Sequence, residues 1–219
     1  MAAAAGQICE CWRLLRKSGD NVVSDFLRGQ GEFLAGNHYP PGDAYDPETH
    51  AQYFYHTHSR DEPRDEHGHF HTFLRAEAIP SDLEPLFVPR DPIAGGTLSH
   101  LIGIAMDAHG QPLRLFTTNC WVTGEVWYAA DDIIGLLDRF VVDMAYPSLP
   151  ANVWITATVR LYRPEIAALL RQRDQAVAEW QERYPERDVF ADAGLEITSS
   201  VDVAIVRRIA ELQAIIGPM

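Results

Sequence analysis

Two short stretches that alternate in character constrain this chain more than anything else in it. Gln52–His58 reads Gln-Tyr-Phe-Tyr-His-Thr-His, and His67–Arg75 reads His-Gly-His-Phe-His-Thr-Phe-Leu-Arg. Alternate residues of a strand share a face. As strands, the first sets Phe54, His56 and His58 on one side, and the second sets His67, His69, His71 and Phe73 on one side. The charged segment between them, Ser59 to Glu66, is split by Pro63 and reads as the loop of an antiparallel hairpin. Five of the nine histidines thus fall on one hairpin. Pairing across the loop sets His58 opposite His67 and His56 opposite His69. Facing residues have Cβ atoms about 4.5–5.5 Å apart, so the imidazoles converge. The other faces, with Tyr53, Tyr55 and Thr57, pack under helices. A one-residue slip would separate the two rows.

The rest of the chain reads as helices around this sheet. Residues 7–34 carry apolar positions at helical spacing, interrupted at Ser18-Gly19-Asp20, with Asp20 as N-cap of the second piece. Residues 35–50 are rich in turn formers and read as a loop. Ser99–Asp107 and Pro112–Thr118 read as a second hairpin, and Val122–Tyr128 as an extension of the sheet. A helix starts near Ala130. Asn152–Tyr162 fits neither period clearly. Pro164 opens a long helix to about Arg183, which packs on the sheet or on another subunit of a homo-oligomer. A short strand is expected at Leu195–Thr198, then a last helix from Val201 to Ile216, capped by Ser199 or Ser200. The fold class is α+β, a central antiparallel sheet of two hairpins flanked by N-terminal and C-terminal helices. One domain spans 1–219: a helical segment over 1–34, the sheet with its histidines over 52–128, and a mainly helical part over 130–217.

Charge narrows the partners. The chain holds 18 Lys+Arg against 31 Asp+Glu, a net charge of -13. Phosphate binding needs clustered cations, so neither nucleic acid nor an anionic membrane surface is expected. No stretch approaches the roughly 18 apolar residues of a span. The first residues lack the pattern of a signal peptide, and three cysteines do not make a disulfide framework. The expected setting is the cytoplasm, and the expected partner a small-molecule substrate or ligand.

The histidines point to a metal. Imidazole-rich sets suit transition metals such as iron, copper or zinc rather than calcium or magnesium, and three or four of His56, His58, His67, His69 and His71 suffice for one ion. Glu62 and Glu66 are further candidate ligands. His56-x-His58-x3-Glu62 repeats the core of the first cupin motif, although His50 stands where that motif has glycine and no second motif follows. Two alternatives stay open: a metal-free catalytic or pH-sensing cluster, or a structural one. His100 begins the third strand on the face of Ile102, Ile104 and Met106, and joins the site if that strand lies beside the hairpin. The polar run Thr117–Glu125 offers Asn119 to fix a substrate and Glu125 as a general base. Cys9 and Cys11, two apart on a helix, do not share a face. The reading is a mononuclear metalloenzyme, an oxidoreductase or a hydrolase, with a non-catalytic metal-handling protein or a metal-free ligand-binding module as alternatives.

The segments Tyr53-Phe-Tyr-His-Thr-His58, Glu66-His-Gly-His-Phe-His-Thr-Phe73 and Leu115-Phe-Thr-Thr-Asn-Cys-Trp-Val-Thr-Gly-Glu125 resemble an uncharacterised bacterial family of hypothetical proteins. No activity is assigned to that family, so the resemblance implies neither substrate nor mechanism.

Overall fold

A computed structural model describes residues 1–58, 66–90 and 97–216. Its centre is one antiparallel sheet in which six strands follow one another in chain order. They are β1 (Tyr39–Tyr45), β2 (Ala51–His56), β3 (Gly68–Arg75), β4 (Leu98–Met106), β5 (Pro112–Thr118) and β6 (Ile197–Asp202). Helices α1 (Ala2–Lys17) and α2 (Val22–Leu27) precede the sheet. The short α3 (Cys120–Thr123), then α4 (Ala130–Leu136), α5 (Leu149–Leu161) and α6 (Arg163–Arg183), lie between β5 and β6, and α7 (Ile205–Ile216) ends the chain. The α+β expectation holds, and no helix among the described residues is long and apolar enough to cross a membrane.

One face of the sheet is the core. Tyr53, Tyr55, Phe70, Leu74, Ile102, Ile104, Met106 and Leu115 are buried on it with residues of α1, α2 and α5. The Phe26 ring of α2 lies 5.8 Å from the Tyr53 ring, 5.9 Å from Tyr55 and 5.4 Å from Phe70. Tyr53 Oη donates to Asn152 Oδ1 on α5. Sliding β2 by one residue would lift both tyrosines out of this packing, so the core sets the hairpin register. His56 pairs with His69 as expected.

Several elements depart from the sequence reading. Residues 39–45 form β1 despite Pro40 and Pro41, because an edge strand tolerates residues that cannot donate to a ladder. Its register against β2 shifts between Tyr39 and Ala44, where Gly42 and Asp43 take positive φ. Asn21, not Asp20, caps α2, in a capping box with Ser24. Val122–Tyr128 adds no strand: α3 ends there, at Thr123, and only Trp127 bridges, to Phe87. Residues 152–161 fall in α5, and Tyr162 is its C-cap. Ser199 and Ser200 belong to β6, where Ser199 pairs with Thr117, so the last helix starts four residues later than expected, at Ile205.

On the second face β4 makes room for side chains from both neighbours. Gly103 pairs with His71 on β3 and with Phe116 on β5. A Cβ at Gly103 would overlap the Phe116 ring, and that ring packs edge-on against His69 and His71 at 5.4 and 5.6 Å. We expect Gly103→Ala to push Phe116 into the imidazoles and cost about 1–3 kcal/mol, the usual range for overpacking. Urea unfolding would measure this, and an unchanged midpoint would show that Phe116 has another place to go.

Candidate metal centre

His56, His58 and His69 converge on the second face. One ring nitrogen from each can be chosen so that all three lie within 4.8 Å of one another. His69 is buried, while His56 and His58 are each partly exposed. The closest approach is 2.5 Å, between His56 Nε2 and His69 Nε2. Two nitrogens on a tetrahedral ion with bonds of about 2.0–2.1 Å stand roughly 3.3 Å apart. An ion therefore requires this pair to open by less than an ångström, within reach of small rotations about Cβ. Three imidazoles would leave a fourth position for water or a ligand.

The other nitrogen of His69 is also occupied. Nδ1 lies 2.9 Å from Glu66 Oε1, and the second oxygen of Glu66 accepts from Arg114 Nη2 at 3.3 Å. Glu66, a candidate ligand by sequence, stands here behind the imidazole. Glu62 lies outside the described residues.

Of the five hairpin histidines, His67 leaves the shared face. Its backbone N–H donates to Met106 O at 2.8 Å, and the next residue, Gly68, also pairs with Met106. Two residues against one is a bulge, and it breaks the alternation. The His67 ring stacks on Phe33 at 5.1 Å, and its Nδ1 meets Tyr55 Oη at 2.9 Å. Gly68 suits the tight spot, since a Cβ there would come within 2.6 Å of His56 O and 2.8 Å of the Tyr55 ring.

His71 stays on the histidine face, with its ring 4.9 Å from His69 and 5.3 Å from His56. Its Nδ1 lies 3.0 Å from Nε2 of His100. Simple alternation places His100 with Ile102 on the core face. Instead Phe73 pairs with His100 and Thr72 with Ile102, so Leu101 is an extra residue. This second bulge sends Leu101 into the core and turns His100 to the imidazoles. Burial pushes His71 well below the ordinary imidazole range, helped by His69, His100, His56 and His38. Burial, with Arg173 second, lowers His100 to about 3.

His38 lies within residues 35–50, which read as a loop by sequence. Its ring stacks on Phe54 at 3.6 Å and 9°, meets the His56 ring edge-on at 5.6 Å, and places Nδ1 3.3 Å from Asp43 Oδ1. Arg114 and Phe116 were also missed, since nothing in the sequence signals support behind a ligand. Asn119 and Glu125, the expected catalytic pair, are not in the three-imidazole group. Both are buried. Asn119 Oδ1 accepts from the Cys120 N–H at the start of α3, and Nδ2 donates to the Val189 and Leu195 carbonyls. Glu125 accepts from the His100 N–H at 2.7 Å and from the Thr123 hydroxyl at 3.3 Å. Burial lifts its carboxyl to about 7 against the opposing pull of Arg173.

These shifts fix a sign for the pH dependence of the metal-free fold. A base whose folded pKa lies below its unfolded value is protonated first in the unfolded chain. His100 thus weakens the fold as pH falls from about 6.5 toward 3. Glu125, an acid with a raised pKa, acts in the opposite sense between about 7 and 4.5. Comparing wild type with His100→Gln removes the Glu125 contribution. Between about pH 6.5 and pH 5, wild type should lose on the order of 2 kcal/mol more than the variant in chelator-treated urea titrations. Parallel losses would show that His100 titrates normally.

No curated protein and no solved structure matches the chain at a significant level. A family model does match, over residues 2–203, from the first residue of α1 to just past β6. That match takes in every strand of the sheet and each of the three converging histidines, and by it the chain belongs to the family described as a domain of unknown function, DUF6969.

Proposed function

We propose that this protein binds one transition-metal ion, iron, copper or zinc, through His56, His58 and His69, and that it is an enzyme acting on a small molecule at the ion's open position. The observation that carries the reading is the convergence of three imidazole nitrogens within 4.8 Å. The carboxylate behind His69 adds support, because metal-bound histidines nearly always donate their other N–H to an acceptor. Partial exposure of His56 and His58 fits an approachable fourth position better than a closed structural site. An ion held by neutral imidazoles keeps its full charge, which suits it to polarise a bound water, carbonyl or dioxygen. His71 and His100 form the buried wall behind the ligands, and Glu125 holds the backbone of His100.

The test is elemental analysis of protein made without an affinity tag, followed by zinc and cobalt titration. We expect close to one ion per chain, and loss of uptake in the His56→Ala/His69→Ala double variant while circular dichroism is retained. Less than about 0.1 ion per chain with no uptake on titration would end the metal reading. Full occupancy in the double variant would move the site to other residues.

A further inference from the structure

We infer that Glu66 is the positioning residue of this centre: its carboxylate holds His69 with the proton on Nδ1, so that Nε2 presents its lone pair to the space shared with His56 and His58. The consequence for metal affinity rests on the metal reading above; the tautomer does not.

The two nitrogens of His69 have separate duties. Nε2 faces His56 at 2.5 Å, and Nδ1 faces Glu66 Oε1 at 2.9 Å. A carboxylate accepts hydrogen bonds and, when ionised, cannot donate. The proton between Nδ1 and Glu66 therefore belongs to the imidazole, and a neutral His69 then has a bare Nε2. The Glu66 side chain is 7% exposed and that of His69 2%, so water competes little for the contact. The Arg114 guanidinium donates to the second oxygen at 3.3 Å and holds the carboxylate in place, and Arg114 itself lies over the Phe116 ring at 5.5 Å. Carboxylate, guanidinium and aromatic ring together hold one imidazole in plane.

The local backbone explains how Glu66 gets there. Regular alternation before Gly68 would put His67 on the metal face and Glu66 on the core face. The bulge at His67–Gly68 exchanges them: His67 goes to Tyr55 and Phe33, and Glu66 goes to His69. The sequence Glu66-His67-Gly68-His69 thus gives one metal-face imidazole together with its own anchor.

The test uses the full chain in two readouts. In metal-free protein labelled with 15N-histidine, long-range 1H–15N spectra should show His69 as the Nδ1–H tautomer. Glu66→Ala should abolish that preference, and the near-isosteric Glu66→Gln, which keeps an acceptor without the charge, should weaken it. In zinc and cobalt titrations, Glu66→Ala should raise the dissociation constant about 10- to 100-fold, with Glu66→Gln in between and with altered cobalt absorption bands. A merely structural Glu66 would lower stability without changing the tautomer or the cobalt bands. The inference is overturned if wild-type His69 carries its proton on Nε2, or if both variants bind metal as wild type does. Wild type that takes up no metal but keeps the Nδ1–H tautomer in a Glu66-dependent way would uphold the positioning role and refute the metal reading.

Discussion

The packing of Phe26 against Tyr53, Tyr55 and Phe70 is the contact on which the rest of this structure depends. It lies on the face of the sheet away from the converging histidines. Because side chains alternate, fixing Tyr53 and Tyr55 inward also fixes Phe54 and His56 outward, and fixing Phe70 inward places His69 and His71 beside them. The register is set by burying large rings, each worth a few kcal/mol. Imidazoles, which gain little from burial and lose hydration, could not enforce it themselves. The hydrophobic core pre-organises a polar cluster that would otherwise separate.

Regular alternation supplies only part of the cluster; two bulges supply the remainder. At His67–Gly68 the break withdraws one histidine and brings in Glu66. At Leu101 it sends a leucine into the core and delivers His100 to Nδ1 of His71. In both places the inserted residue finds a good environment of its own, with His67 against Tyr55 and Leu101 in the core cluster. That lowers the cost of interrupting the ladder. Bulges commonly re-aim side chains at working sites, and here both feed the same small group of imidazoles.

This explains what was legible in the sequence. The histidine hairpin, its register at His56 and His69, and strands β4 and β5 follow from a period of two. The Pro164 helix follows from the first-turn preference of proline. Strand β1 was hidden because proline and glycine signal turns, although edge strands admit both. The place of His67 and His100 was hidden because a bulge is a tertiary compromise with no local signature beyond a glycine. Glu66 was visible as a carboxylate near histidines, but whether it faces an ion or an imidazole depends on the phase break beside it. Asn119 and Glu125 looked catalytic because polar groups at a strand end often are. Their hydrogen bonds run to α3, to the segment before β6 and to the backbone of β4.

The glycine at position 103 and the ring it admits have a consequence for how such a protein can change over time. The residues that hold the sheet together and those that face the imidazoles occupy opposite sides of the same strands, and Phe116 reaches His69 and His71 only because Gly103 has no side chain. Folding information and chemical information are therefore written on separate surfaces. His56 and His58 can be exchanged without touching Tyr53 and Tyr55, which keep the strands in step, whereas His67 is bonded to Tyr55. Gly103 is the exception on the imidazole side, because a side chain there would meet the Phe116 ring that packs against His69 and His71.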